Sequence, residues 1–480
     1  MNTSVTTKAG RGSDARSLPG WLWVAFGGAA LLYGVPSVWL LMSFIQQAYD
    51  LGIYDQALWL IAHGESFNTV AGTHVVGDHF SPILYVMSPL AFLPGGAVPE
   101  LVVTAVVIAS GVFPAYRLAQ WLDRDPRWFV TVYAIHPAMI TGSWTGWRPW
   151  NLAVPVFMWV CYLVVSRPTV LRITISGLVL LLFREDLAVW VGLLALIVYL
   201  ARRLSLKDLF MSGLALGAAT GIVVFLVLPA LSPVEGYFFI GDFYSRAPDA
   251  GQVIASVSTR TLFLLLPLGL SPARLDWRLM APLAIPVVGL VLRGGPSLTT
   301  FFQYDMMFVP MLLAVVGLSA PVLHRPRRVI VGSLIALVAL GALRPIPPQH
   351  GPNPWSYDRR LVEEYRLVLD DLREIRGSDT LSVTAPDTLV PHLSERRNVF
   401  VYPFPVDRFP DRERFESRLS FQCPPPNVIV ERADFLTPQW TSTMTSVGYE
   451  RVVTRDRVSV WVSVEPMPDK PCSAQYEAPR

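Results

Sequence analysis

The stretch QQAYDLGIYDQALWLIAHGESFNTVAGTHVVGDHFS, residues 46–81, directly follows the first long apolar segment of the chain. It contains no Lys or Arg, yet it carries four acids and three of the seven histidines: Asp50, Asp55, Glu65, Asp78, His63, His74 and His79. Acids and imidazoles concentrated beside a membrane segment indicate a site for chemistry or for ion handling.

The composition of the 480-residue chain is typical of a polytopic membrane protein. It is 52% hydrophobic and 16% charged, with a mean hydropathy of +0.43, whereas soluble domains carry about 25% charged residues. We therefore expect about eleven membrane-spanning helices, at 21–45, 84–116, 128–143, 150–166, 169–183, 187–201, 209–231, 259–271, 277–292, 299–320 and 328–343.

The basic residues of the connecting loops predict the orientation of these spans. With residues 1–20 in the cytoplasm, most Lys and Arg of the N-terminus and of the loops between spans fall on the cytoplasmic side, and the outer turns and span ends hold Arg148, Arg184, Arg246, Arg260 and Arg293. This distribution satisfies the positive-inside rule. It predicts a multi-pass protein of the plasma (inner) membrane, with a membrane domain at 21–345, a first outer loop at 46–81 and an extracytoplasmic domain at 346–480.

The tail after residue 345 reads as a small α/β domain. Residues 357–376 have the apolar spacing of an amphipathic helix. Short strand and helix patterns alternate after it, among them a helix predicted at 387–396, and they end in a hairpin around Arg455 and Asp456. Cys423 and Cys472 lie in this tail. A disulfide between them is permitted outside the cytoplasm, but two unpaired thiols fit the sequence equally well.

Asp50 and Asp55 are the first candidates for a catalytic acid. On an unbroken helix, residues five apart point about 140° away from each other, so both can face one substrate only if the chain bends, for which Gly52 is suited. DQALWLIAHG is predicted to be a short interfacial helix that Gly64 closes. In the alternative interpretation, Asp55 only caps this helix and Asp50 is a solvated helix end.

His74, Asp78 and His79 could present two imidazoles and a carboxylate to a divalent cation such as Mg²⁺ or Mn²⁺. The spacing matches no strong metal motif, so metal is a weak candidate and no cofactor is certain. His79 could instead bind a phosphate or orient a substrate hydroxyl, or the group could serve structural hydrogen bonding.

The outer turns supply the candidate substrate-binding residues. Arg184 and Glu185 lie between two spans, and Arg184 suits an anionic headgroup because guanidinium matches phosphate geometry; alternatively these charges only mark the loop. Arg148 and Arg246 are rival cations. Trp147 and Trp150 beside Arg148 could be an interfacial belt or a sugar platform. Tyr304 and Asp305 are candidates because an acid within a span is costly, unless the span begins later.

Several function classes have no support in the sequence. No nucleotide-binding, zinc-protease or serine-hydrolase motif is present where it would be needed. Nucleic-acid binding is also disfavoured, because the formal net charge is only +3 and the basic residues follow the membrane topology.

DLGIYDQALW and GDHFSPILYVMSPL together resemble a bacterial family of uncharacterised polytopic membrane proteins that is grouped with the GT-C superfamily of glycosyltransferases. HPAMITGSWTGWRPWNLAVP, FREDLAVWVG and LSERRNVFVYPFP are also similar to it. The resemblance covers most of the chain, from about 45 to 465, and implies a GT-C-like membrane domain.

The resemblance implies transfer of a sugar from a polyprenyl-phosphate donor to an envelope glycan, lipid or protein acceptor on the outer face of the membrane. Asp55 matches the position of the catalytic acid and would be the general base, with Arg184, or else Arg148, stabilising the leaving phosphate. One departure concerns the turn at 146–150, which holds Arg148 where relatives are expected to have an acid. A lipid or glycan transporter (flippase) and a non-catalytic envelope scaffold remain the alternatives.

Overall fold

The computed structural model describes residues 17–231, 250–269, 275–292, 303–319, 326–342, 357–375, 380–402, 426–432, 438–446 and 448–465. Arg246, Cys423 and Cys472 lie outside these residues, so their predicted roles stay predictions. Twelve α-helices lie within residues 17–231: α1 Gly20–Met42, α2 Ile53–Ala62, α3 Ile83–Met87, α4 Val98–Ala109, α5 Val112–Trp121, α6 Pro126–Ile135, α7 Pro137–Ser143, α8 Pro149–Ser166, α9 Val170–Leu181, α10 Leu187–Leu200, α11 Leu206–Ile222 and α12 Leu228–Leu231.

The described helices continue into the second half of the membrane domain and into the tail: α13 Ala250–Leu265, α14 Trp277–Met280, α15 Ala284–Leu292, α16 Phe308–Ser319, α17 Pro326–Ala342, α18 Arg359–Glu374 and α19 Pro438–Ser446. A tight helical turn, Gln303–Met307, precedes α16.

Five helical segments among the described residues are long and apolar enough to cross a membrane: Gly20–Met42, Val98–Trp121, Pro149–Ser166, Leu206–Leu231 and Ala250–Leu268. Shorter apolar helices lie between them and pack against them in one large hydrophobic core. The fold class predicted from the sequence, a polytopic helical membrane protein, is confirmed.

Prolines break two of the expected spans. The predicted segment 84–116 begins with the short helix α3 and the turn Ser88–Phe92, and the long apolar helix starts only at Val98, because the three prolines of this segment interrupt the helical hydrogen bonds. The predicted span 128–143 is divided into α6 and α7 at His136, because Pro137 cannot continue the hydrogen-bond ladder of α6.

The tail forms the α/β unit that its sequence predicted. Its five strands lie in the order β4-β3-β5-β7-β6, and α18 packs the apolar face containing Tyr365 and Val368 against the same core. The segment 387–396, predicted to be helical, is only a short turn at Val390–His392, because Pro391 lacks the amide that a longer helix needs. The strands are β3 Val383–Ala385, β4 Val399–Val401, β5 Val428–Arg432, β6 Tyr449–Thr454 and β7 Val458–Ser463.

The first outer loop packs against this tail domain rather than standing alone. It contains α2 and a two-stranded hairpin, β1 Phe67–Asn68 and β2 Thr73–His74. Ala48, Ile53 and Val70 of the loop share a hydrophobic cluster with residues of the tail. The loop is therefore held between the membrane helices and the C-terminal domain, and this position determines which way its acids point.

Candidate active site

A π-helical turn, Ala48–Gly52, leads directly into α2 without a bend. Gly52 has helical angles, φ −61° and ψ −37°, so the expectation that it bends the chain is wrong. Gly52 serves a close approach instead: a Cβ there would lie 3.1 Å from Cγ1 of Val390 in the C-terminal domain. Gly64, with φ +75°, follows the end of α2 as predicted.

Asp50 and Tyr54 lie on the side of this helix that faces the membrane domain. The carboxylate of Asp50 forms an ion pair with the guanidinium of Arg148, in the turn before α8. Four residues further on, the ring of Tyr54 meets the ring of Trp147 edge-on, with 5.7 Å between the centroids. Residues four apart on a helix lie on one face, so this spacing brings both side chains to the turn at 146–150.

Arg184 lies against two aromatic rings. Its Cζ atom is 5.1 Å from the ring centroid of Trp150 and 5.7 Å from that of Tyr304, and these two rings meet edge-on. Asp186 is its nearest acid in the same turn, with 3.2 Å between Nε and Oδ1. Since Trp147 and Trp150 are both buried, they are not a lipid-facing belt, and Trp150 is a platform for a cation.

Glu185 fixes the end of the first outer loop. Its Oε1 is 2.8 Å from Nδ1 of His79, and its Oε2 accepts a hydrogen bond of 2.9 Å from the amide of Phe80. The structure therefore joins His79 and Glu185, two predicted site residues that are far apart in the sequence. With Asp78 beside them, they form the wall of the site next to Arg184.

Tyr54 is the common neighbour of these groups. Burial raises the pKa of its hydroxyl, Asp78 raises it further and Arg184 lowers it; Tyr304 and Glu185 also raise it. Four predicted residues, Asp78, Arg184, Glu185 and Tyr304, therefore lie near Tyr54. The contacts of Asp50 with Arg148 and of His79 with Glu185 connect the other predicted residues to the same end of the helices.

Asp305 does not stand alone inside the membrane domain. Its carboxylate accepts a hydrogen bond of 2.7 Å from Nε of Arg260, and both side chains are 1% exposed. The pair anchors the turn that carries Tyr304. Asp305 therefore supports the aromatic platform by holding the turn that carries Tyr304. This role explains why a buried acid lies next to an apolar helix.

Asp55 lies on the other side of the helix from Asp50. It is 2% exposed and contacts the hydroxyl of Ser394 in the C-terminal domain. Burial raises its pKa well above the ordinary value, and the charge of Glu100 raises it further. The predicted general base is thus in contact with the tail domain, whereas Asp50 is in contact with the arginine of the outer turn.

The metal set proposed from the sequence is not brought together. Within the described ranges, no group of three or more His, Cys, Asp or Glu side chains could hold a metal ion. Nδ1 of His74 accepts the amide of Val76 at 3.3 Å, and His79 is bound to Glu185. The residues present do not fit an Mg²⁺ or Mn²⁺ site made by His74, Asp78 and His79.

Residues 40–242 match the model of a family described as "Predicted membrane protein (DUF2079)". The match covers the part of the chain that contains the first loop and the helices up to α12. The matched residues begin at the end of α1 and contain Asp50, Tyr54, Arg148, Arg184 and Glu185. No curated protein matches the sequence.

The fold of the chain is similar to that of a solved protein structure. The crystal structure of ArnT from Cupriavidus metallidurans, bound to undecaprenyl phosphate, superposes with a TM-score of 0.56 at 14% sequence identity. The match covers 93% of this chain and 99% of that chain. At this identity the similarity establishes a GT-C-like fold, as the sequence resemblance implied.

Tyr54 and Ser394 were not among the residues predicted from the sequence. For Tyr54 a signal was present, because Asp50 and Tyr54 have the four-residue spacing of one helix face. Ser394 lies 339 positions from Asp55, and no local pattern could have connected the two.

Proposed function

We propose that this protein is a glycosyltransferase that moves a sugar from a polyprenyl-phosphate donor to an envelope glycan, lipid or protein acceptor on the outer face of the plasma membrane. The observation that carries the proposal is the pair of buried outer-turn arginines, Arg148 and Arg184, beside an acid of the first outer loop. The GT-C-like fold supports it, since the ArnT structure of the same fold has undecaprenyl phosphate bound.

The arginines suit the phosphate of such a donor. Each is 9% exposed, so a phosphate bound there would be partly shielded from water and its attraction to the guanidinium groups would be strong. Arg184 is preorganised by Trp150 and Tyr304, and a fixed cation stabilises negative charge that develops on a leaving group without reorganising. Lysine would lack this stacking and the two-pronged geometry.

Asp50, rather than Asp55, is the better candidate for the general base. A base must reach the proton that it removes, and Asp50 is the loop acid that contacts a phosphate-binding candidate, Arg148. When the donor phosphate binds Arg148, it competes with Asp50 for the guanidinium and frees the carboxylate to accept a proton. Asp55 is enclosed by the C-terminal domain.

The proposed reaction is a single displacement at the sugar. The acceptor hydroxyl oxygen forms a bond to the anomeric carbon, and its proton passes to Asp50. The bond between that carbon and the phosphate oxygen breaks, and its electron pair leaves with the polyprenyl phosphate, whose added charge Arg184 and Arg148 balance. No step requires a metal ion; dependence on Mg²⁺ or Mn²⁺ stays a prediction.

Asp50→Asn and Asp55→Asn are matched variants that test this proposal. We expect Asp50→Asn to lower kcat for transfer from polyprenyl-phosphate sugar by about 10²–10⁴-fold, and Asp55→Asn to retain most of the kcat. Purified protein in micelles, radiolabelled donor and thermal unfolding as a folding check would give the comparison. Full activity of Asp50→Asn would contradict the base, and donor flux across proteoliposomes without bond cleavage would favour the transporter.

A further inference from the structure

The first outer loop is joined to the C-terminal domain by a row of specific contacts. The amide of Ala48 donates to Oδ1 of Asp387 at 2.8 Å, and the amide of Val399 donates to Oγ1 of Thr69 at 3.1 Å. Nε2 of Gln56 donates to the carbonyl of Arg397 at 3.1 Å. Together with the approach of Gly52 to Val390, these contacts fix the rotation of α2 about its axis.

We propose that Asp55 and Ser394 form the central latch of this interface, and that they are positioning residues which hold α2 so that Asp50 and Tyr54 face the arginines. This inference rests on the proposed function of that site. It gives Asp55 a role other than the base, and it gives the C-terminal domain a part in catalysis.

The hydrogen bonding of Ser394 indicates that the latch contains a proton on Asp55. The Ser394 hydroxyl lies within hydrogen-bond distance of Oδ2 of Asp55 and also of the carbonyl of Pro391, the latter at 3.1 Å. A serine hydroxyl has one hydrogen and therefore donates once. Both contacts are satisfied when the hydroxyl donates to Pro391 and a protonated Asp55 donates to the hydroxyl.

The charges around Asp55 favour the same protonation state. Glu100, at the start of α4, is fully buried, and neither of its carboxylate oxygens has a hydrogen-bond partner among the described residues. Glu100 and Glu395 both add negative charge near Asp55. Burial raises the pKa of Glu395, and its charged neighbours Arg396 and His63 lower it by less. A buried carboxylate without a cation is costly, so binding a proton to Asp55 reduces the repulsion among these three acids.

The sign of the pH dependence follows from these shifts. Docking here means the packing of the first outer loop against the C-terminal domain. Burial raises the pKa of Asp55 in the docked state, and Glu100 raises it further, so docking is accompanied by uptake of a proton. Docking is therefore strongest at low pH and weakens about tenfold per pH unit from about pH 4 up to the raised pKa. Asp387 contributes with the same sign up to about pH 6, because burial raises its pKa to about 6.

Hydrogen exchange without substrate tests the latch independently of sugar transfer. Amides within 44–60 and 395–402, corrected for intrinsic exchange and compared with those of β7, report separation of the loop from the domain. We expect their protection in the wild type to fall at least tenfold from pH 5 to pH 8. Asp55→Asn, whose amide copies the protonated acid, should keep the protection high and remove most of this dependence.

Four further variants make the test specific. Asp55→Ala and Ser394→Ala should lose protection at every pH, whereas Asp50→Asn, on the opposite face, should keep the wild-type pH profile. Asp387→Asn should remove only the part of the change in protection that occurs below about pH 6. Wild-type protection that does not vary with pH, or an unchanged pH profile in Asp55→Asn, would overturn the latch. Loss of transfer in Asp55→Asn with the predicted exchange profile would instead overturn the assignment of Asp50 as the base.

Discussion

Arg148 and Asp50 form an ion pair across the boundary between the first outer loop and the membrane helices. The side chains of both are 10% exposed, so the pair is mostly shielded from water. It connects the helical turn that follows α1 with the turn that precedes α8. An acid and a cation needed for transfer would therefore neutralise each other until a donor phosphate arrives.

Reversing this pair should separate stability from activity. Asp50→Arg alone and Arg148→Asp alone each place two like charges in a largely buried site, and we expect each to destabilise the protein by about 3 kcal/mol or more. The double variant restores opposite charges and should recover most of the thermal unfolding midpoint. It should not recover transfer. A double variant as unstable as the single ones would show that these two side chains do not interact.

Arg184→Lys should weaken donor binding although it keeps the charge. Lysine cannot stack between Trp150 and Tyr304, an arrangement worth about 1 kcal/mol or more. We expect KM for the polyprenyl-phosphate donor to rise about tenfold in Arg184→Lys and further in Arg184→Ala. Arg278→Ala is a suitable control, because its side chain is 78% exposed. An unchanged KM in Arg184→Lys would argue against a role for the stacked guanidinium.

Glu185 variants should loosen the end of the first outer loop in a graded way. Glu185→Ala leaves the amide of Phe80 and Nδ1 of His79 without their acceptor, at a cost of about 1–3 kcal/mol for each buried group. Glu185→Gln retains one acceptor oxygen and should cost less. Hydrogen exchange of residues 78–84 and the thermal midpoint measure the effect. Equal destabilisation by both variants would mean that the charge of Glu185, not its acceptor geometry, matters.

Removing one partner of Arg260 and Asp305 should be worse than removing both. Asp305→Leu leaves a buried guanidinium without its carboxylate, which costs about 3–5 kcal/mol. Arg260→Met combined with Asp305→Leu replaces the pair by apolar side chains and should regain much of that stability. Thermal unfolding of Asp305→Leu, Arg260→Met and the double variant would show the difference. If the double variant is the least stable of them, the pair contributes more than its own charge balance.

The parts of the structure that the sequence predicted are those governed by local pattern. The apolar segments, α18 and the terminal hairpin follow from periodicity, and the gathering of Arg184, Glu185 and His79 follows from their common place on outer turns. The rotation of α2 was not predictable, because it depends on Val390 and Ser394. That rotation decides which acid faces the arginines. The sequence of the loop alone therefore cannot decide between Asp50 and Asp55 as the base.

The row of bonds from the first outer loop to residues 387–399 also has a consequence for biogenesis. The partners in these bonds are separated by more than 300 positions, for example 339 between Ala48 and Asp387. A nascent chain exposes the loop early and the partner segment last. The loop therefore cannot reach its final arrangement until the tail has been synthesised and folded. Under the proposed function, a protein interrupted during insertion would not yet act on the lipids around it.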